Sequence, residues 1–343
     1  TDYGFSVAQL ENAGLTWEKN SNVNVGIEAS LFGNRLNASI EYYNRKTTDM
    51  ILERPMAFSS GFESYLDNIG EMRNSGWEIT LNGMLIKRPD MRWDVTVMAS
   101  TQSNKVLKLT PETPEIIDGS TIIREGLPIY TYYMSKFAGV DPATGAALYY
   151  AYKDVTDETT GETRREEYIT SDTSEASSSR YTCGSRIPDL FGSIGSTFQW
   201  KGLDFSILTT YSIGGKVNEA IYSSTMNPFY YGQTFHKHLT RAWKQPGDIT
   251  DVPRVEVGTS SISSDRFLVD ASYFSINITI GYTIPEKAAN YIGMKSVRVY
   301  CSMDNLALFT HLKGMNPTYT LTGSTGFVYT PSRSFVAGLD IKF

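Results

Sequence analysis

No run of about eighteen apolar residues occurs anywhere in the chain, so it has no α-helix able to cross a bilayer. Cysteine is nearly missing. Cys183 and Cys301 lie far apart in the 343 residues and read as two unrelated free thiols rather than a disulfide framework. Histidine is rare too, with three in all. His236 and His238 stand two apart with no carboxylate or cysteine at metal-ligand spacing, and read as a loop contact or a solvated pair. His311 reads as an ordinary interfacial residue. No Gly-x-Ser-x-Gly elbow is present, so neither a zinc site nor a Ser–His hydrolase has its usual parts. The chain is not expected to be an enzyme or to carry a cofactor or a metal. An excess of positive charge is missing as well. With 31 Lys and Arg against 37 Asp and Glu the net charge is −6, which argues against a nucleic-acid partner. The first residues, Thr1 to Phe5, show neither a basic nor an apolar leader segment, so no signal peptide is expected there.

What the sequence has in quantity is aromatic side chains (22 Tyr, 16 Phe, 5 Trp) and strict two-residue alternation. Phe274, Ile276, Ile278, Ile280 and Tyr282 share one face of a strand, and Ser275, Asn277, Thr279 and Gly281 the other. The chain ends in the same manner, with Phe335, Ala337, Leu339, Ile341 and Phe343 against Val336, Gly338, Asp340 and Lys342. Near the start, Val23, Val25, Ile27, Ala29 and Leu31 alternate with polar residues. Gly33-Asn34 then makes a hairpin turn and Leu36, Ala38, Ile40 and Tyr42 answer. Trp77 to Leu85, Trp93 to Ala99, Leu190 to Trp200, Leu203 to Ile213 and Val297 to Met303 repeat the pattern. Trp77 and Trp93 sit where interfacial aromatics stand in a membrane barrel. Strands that are apolar outside, polar inside and framed by aromatics predict an all-β, antiparallel transmembrane β-barrel.

The connections alternate in length. Those at 33–34, 88–90, 201–202 and 285–294 are short, and those at 52–73, 102–128, 153–189, 214–265 and 310–331 are long. Short periplasmic turns and long extracellular loops have this order, which places Phe343 at the periplasmic rim. The hairpin 129–152, turned by Val140 to Gly145, has mixed faces and reads as projecting from the wall. The acidic, Ser/Thr-rich stretch 154–180 reads as a solvated loop, with surface calcium a minor alternative. That leaves about nine strands, or about eleven with the uncertain hairpin. An open sheet has edges that lipid cannot satisfy, so the rest of the barrel is expected elsewhere.

Several segments together resemble one family, the SusC-like (RagA-like) TonB-dependent transporters of Bacteroidetes. They are Leu15 to Lys19 with Val25-Gly26, Arg35 to Lys46 around Glu-Tyr-Tyr-Asn, Asn68 to Gly70 and Asn74 to Glu78. Arg124 to Pro128, Arg186 to Asp189, Arg241 to Trp243 with Pro246 to Asp248, and Asp270 to Phe274 with Gly281-Tyr282 follow. Asp304 to Leu306, Gly314 to Pro317 and the last strand complete the set. Leu312-Lys313 and Asn316 depart from the family's usual residues in that last loop. The resemblance implies that residues 1–343 are the C-terminal part of a barrel of about twenty-two strands, in the cell outer membrane. It further implies a plug and N-terminal strands outside this chain, energy from TonB–ExbB–ExbD through that missing part, and a SusD-like surface lipoprotein as lid. The expected cargo is a glycan or an oligopeptide. The resemblance also makes Leu339, Ile341 and Phe343 an assembly signal. A passive porin and an outer-membrane enzyme are the alternative readings. For contact with substrate or partner, the candidates are Tyr222, Phe229, Tyr230, Tyr231 and Trp243 in the longest insertion. Aromatic faces there can stack on sugars or receive apolar peptide side chains, or else pack the loop onto the rim or the lipoprotein.

Overall fold

The computed structural model describes residues 10–156, 163–228, 232–256, 264–312, 316–317 and 330–343. The chain opens with β1 (Lys19–Leu31), β2 (Leu36–Pro55), β3 (Ser64–Arg88) and β4 (Met91–Thr101). An excursion follows, comprising β5 (Ser103–Leu109), β6 (Glu115–Asp118), β7 (Thr121–Arg124), β8 (Thr131–Val140), β9 (Ala147–Thr156), β10 (Thr163–Thr170), α1 (Thr173–Ser178) and β11 (Arg180–Ser185). Next come β12 (Leu190–Trp200) and β13 (Leu203–Ile213), then a second excursion with β14 (Lys216–Asn218), α2 (Ala220–Thr225) and β15 (Leu268–Asp270). The chain closes with β16 (Tyr273–Thr283), α3 (Glu286–Tyr291), β17 (Ser296–Thr310) and β18 (Ser334–Lys342).

One antiparallel sheet, the wall, runs β1-β2-β3-β4-β12-β13-β16-β17-β18, with β5 added on β3. Its nine path strands coincide with the alternating segments of the sequence. Directly opposed residues share a face, so the register draws rows across the wall. Trp93, Phe198, Phe205, Ile280, Cys301 and Ala337 form one such row. The next row, on the other face, is Asp94, Thr197, Ser206, Thr279 and Ser302. Its hydroxyls pair at 3.2 Å (Thr197–Ser206) and 3.1 Å (Thr279–Ser302). The apolar face stands open, with Ile27 72% and Leu339 60% exposed. An apolar face of this extent is what a barrel presents to lipid. Among the described residues no helix is long and apolar enough to cross a membrane, and both cysteines are free, as the sequence indicated.

The hairpin β8-β9 lies outside the wall, in a second, six-stranded sheet ordered β10-β9-β8-β7-β6 with β11 on β8. Three long connections expected from the sequence are more ordered than composition suggested. β2 and β3 stay paired up to Pro55 and Ser64, past a register shift between Thr47 and Met50, so the loop expected at 52–73 shrinks to its tip. The stretch 102–128 contains β5, β6 and β7. Much of the solvated loop expected at 154–180 is strand and helix. β10 pairs with β9 because its charges meet opposite charges directly across the ladder, Arg165 facing Asp154 and Glu166 facing Lys153. The helix α1 is started by Asp172, whose carboxylate accepts from Ser174 N and Glu175 N.

Candidate functional site

Both excursions leave the wall from the ends opposite the short turns, so they form a cap on one side. The second excursion has its own apolar core of Met226, Ala242, Val252 and Phe267, with Tyr222 and Leu239 packed on it. Tyr222 sits edge-on to His236 (ring centroids 4.8 Å) and to Phe267 (5.7 Å), and its hydroxyl pairs with His238 Nδ1 at 2.8 Å. His236 Nδ1 in turn accepts from His238 N at 3.2 Å, capping the short 3₁₀ turn Lys237–Arg241. The two histidines therefore stabilise a loop. Among the described residues no cluster of His, Cys, Asp and Glu could hold a metal.

Trp243 joins the two excursions. Its Nε1 donates to Pro142 O at 2.9 Å and its backbone N to Val252 O at 3.0 Å. The indole lies against Gly145, where an added Cβ would collide with the ring. Gly145 has φ +73°, a conformation that glycine adopts freely. Arg254 N then donates to Gly145 O at 2.9 Å. The Asp141–Gly145 turn, visible in sequence as a turn, is thus also the socket for Trp243. Beside the contact is a cavity of about 190 Å³ lined by Gly145, Tyr149, Met226, Leu239, Arg254 and Arg266 among others. Burial holds the Arg266 guanidinium below its ordinary pKa, and the group lies over Phe137 at 5.0 Å and Phe267 at 5.2 Å. Of the five aromatic candidates, Tyr222 and Trp243 are engaged in packing the cap, while Phe229, Tyr230 and Tyr231 lie outside the described residues.

A second concavity, absent from the expectations, opens on the six-stranded sheet. It has a volume of about 530 Å³ and converges Tyr133, Tyr152, Tyr181, Arg124, Arg165 and Glu167, with Glu115 and Arg180 beside them. Arg124 is bridged to Glu115 at 2.6 Å and lies 5.4 Å from the Tyr133 ring. Arg165 stacks on Tyr152 at 4.0 Å. The Tyr181 hydroxyl donates to Glu167 at 3.0 Å. Burial first, and then that hydrogen bond, push the Tyr181 phenol well above its ordinary pKa, so at neutral pH it is a donor. Arg180 spends its guanidinium on the carbonyls of Gly119 (2.9 Å) and Ser177 (3.4 Å). A basin of phenols, guanidiniums and carboxylates can hold the ionic and amide groups of a peptide or the hydroxyls of a sugar. Its sequence signal is the tyrosine-rich pair of segments Tyr130 to Tyr133, which leads into β8, and Tyr149 to Tyr152, which lies in β9.

Leu339, Ile341 and Phe343, expected from the resemblance to act in assembly, lie along the apolar face at the end of the chain. Phe343 is 78% exposed. Wall and cap together define the barrel of an outer-membrane protein, with ordered structure carried on one rim. The sequence matches the family model "TonB dependent receptor-like, beta-barrel" over residues 1–306. It is 28% identical to a TonB-dependent receptor of Formosa agariphila, covering 99% of this chain and 36% of that protein. It is 25% identical to the TonB-dependent receptor SusC of Bacteroides thetaiotaomicron, over 100% of this chain and 34% of that one. Among solved structures, the RagAB peptide transporter superposes with a TM-score of 0.85 at 29% identity, covering 99% of this chain and 37% of that one. The chain belongs to the TonB-dependent receptor-like β-barrel family and is SusC-like. It spans about a third of the length of the curated relatives it matches, 36% and 34% of the two named.

Proposed function

We propose that this chain is the C-terminal barrel portion of an importer that takes up oligopeptides or glycans across the outer membrane. In this reading a SusD-like lipoprotein closes over the cap, and a plug and the remaining strands complete the transporter. TonB–ExbB–ExbD drives it through that other part. This chain supplies wall, loops and docking surface and breaks no bond. The observation that carries the reading is the division of the molecule: an apolar wall for lipid, and on one rim a cap whose two excursions are locked together by Trp243 on Gly145. Within the cap, the insertion bearing Tyr222, Phe229, Tyr230, Tyr231 and Trp243 and the Tyr–Arg basin form the contact surface. The paired charges of the basin, and the likeness to a structure described as a peptide transporter, favour oligopeptide as cargo. Leu339, Ile341 and Phe343 present the assembly signal at the opposite rim.

The test is deletion of 218–243 in the complete transporter, followed by uptake of labelled oligopeptide and of labelled glycan and by co-purification of the lipoprotein. Uptake of one cargo is expected to fall at least tenfold with the barrel still folded in the membrane. Unchanged uptake together with unchanged lipoprotein binding overturns the assignment of this surface. Removing Phe343 in the same cells is expected to lower the amount of folded barrel, and an unaltered amount sinks the assembly role.

A further inference from the structure

The rim opposite the cap carries an unexpected charge. The chain as a whole has a net charge of −6, yet its short connections are cationic. Arg35 stands in the first, Lys87 and Arg88 at the second, Lys201 in the third, and Lys287 and Lys295 in or beside the fourth, against Asp90 and Glu286. Among the described residues none of these six cations is in an ion pair with a carboxylate. Arg92 and Asp204, which also lie at this rim, are already bridged to Asp94 and Arg298.

Register decides which of these cations can reach lipid. Arg88 opposes Met91, Met91 opposes Trp200, Trp200 opposes Leu203, and Leu203 opposes Tyr282. Opposed residues share a face, so Arg88 ends a row on the apolar, lipid-facing side, one step beyond the Trp93–Phe198–Phe205 row. The turn bearing Lys201 is held against it, because Lys201 N donates to Asp90 O at 3.1 Å and Thr283 N donates to Gly202 O at 2.8 Å. Lys201 also takes φ +46°, a left-handed conformation costly for a long side chain. Its ammonium lies 5.6 Å from the Trp200 ring, and Trp200 is 46% exposed. Between the two turns is a cleft of about 460 Å³, lined by Arg88, Asp90, Met91, Trp200, Lys201 and Leu203 together with inward-facing residues.

We propose that this cleft is a headgroup site for a glycerophospholipid of the leaflet at the short-turn rim. Arg88 and Lys201 would take the phosphate oxygens, the Trp200 indole would lie at the glycerol level, and Met91 and Leu203 would meet the start of the acyl chains. A cation beside an anionic membrane surface is a recognised anchor, and here two are fixed to a rigid pair of turns rather than to a mobile tail. The site pins the depth of the barrel at the rim away from the cap.

The complete transporter, purified in an uncharged detergent, is titrated with phosphatidylglycerol and the retained lipids are counted by native mass spectrometry. Wild type is expected to retain one phosphatidylglycerol that the Arg88→Gln, Lys201→Gln double variant binds roughly thirtyfold more weakly, two cations each contributing about a tenfold or smaller share. Arg164→Gln, a cation on the cap, should leave retention unchanged. Diacylglycerol, which lacks the phosphate, should not compete. Equal retention by wild type and double variant, or equal retention of diacylglycerol, overturns the site and leaves only a nonspecific apolar belt. Gel mobility of the unheated protein reports whether the double variant is folded; if it is not, Lys201→Gln alone is titrated, and retention equal to wild type overturns the site.

Discussion

The wall and the cap are both antiparallel β-structure, but different terms hold them together. In the wall, backbone ladders and two-faced alternation do nearly all of the organising. A residue's environment follows from its parity, and its neighbours are whatever the register brings beside it. In the cap, strands are short, and individual side chains decide where each piece sits. Trp243 seats on Gly145, Tyr222 between two histidines, and Arg165 over Tyr152. The difference teaches a division of labour. Period-two construction makes a surface that any apolar residue can serve, whereas the cap depends on particular residues and is therefore where specificity can reside.

Breaking the parity rule gives the largest expected effect. Val97 lies on the apolar face, in a row with Leu81 and Ile194. Val97→Arg puts a charge into hydrocarbon and is expected to destabilise the barrel by about 2–4 kcal/mol. One residue back, Thr96 faces the other way and donates to Asn82 Oδ1 at 2.9 Å. Thr96→Arg should cost about 1 kcal/mol, mostly that hydrogen bond. Denaturant unfolding of the complete transporter in phospholipid vesicles compares the two. Similar losses for both would show that the wall does not separate lipid from lumen as its register indicates.

The same contrast explains what could be read in the sequence. The wall strands were legible because one buried-in-lipid face and one polar face leave an unmistakable alternation from Phe274 to Tyr282 and from Phe335 to Phe343. That signal fails where both faces are covered. In β8, Thr131, Tyr132, Met134 and Ser135 are all buried, so polar and apolar residues lose their phase. It fails too where a strand is exposed on both sides: Arg164, Arg165, Glu166 and Glu167 look like a solvated loop until Asp154 and Lys153 are seen across the ladder. The ends of β2 and β3 away from the short turns leave no such signal, because the register shift past Thr47 and the positive φ of Asp49 (56°) interrupt the period. For the site, the aromatic wealth of the long insertion was visible, but the socket that Trp243 needs lies in a turn distant in sequence, and nothing local announces it.

A substitution in that socket sharpens the comparison from the side of the cap. Gly145→Val meets two obstacles: a left-handed backbone that β-branched residues resist, and an indole already in the space of the new Cβ. The expected loss is about 2–4 kcal/mol, confined to the docking of the second excursion. Hydrogen exchange should show residues 243–254 losing protection while β12, β13 and β16 keep theirs. Loss of protection in the wall strands as well would mean that wall and cap fold as one cooperative unit.

The smallest effect concerns the acid that shapes the same turn. Asp141 accepts from the Thr144 hydroxyl and, at 3.0 Å, from Ala143 N, and these bonds hold its carboxyl below the ordinary value of 3.8. A carboxylate whose pKa is depressed in the folded turn stabilises that turn fully above its unfolded pKa, and the contribution is lost as pH falls through the folded value. The window therefore opens at the ordinary aspartate range and extends downward. Asp141 is solvent-exposed, so the effect is expected as a modest rise in exchange at 243–254 between pH 5 and pH 3, on top of the intrinsic pH dependence of exchange. Asp141→Asn removes the titrating group, so protection in that variant should start lower and show no further acid step. An equal acid step in wild type and Asp141→Asn would assign the sensitivity to another group. A flat profile in wild type would show that Trp243 alone, without a charged Asp141, is enough to keep the two excursions docked.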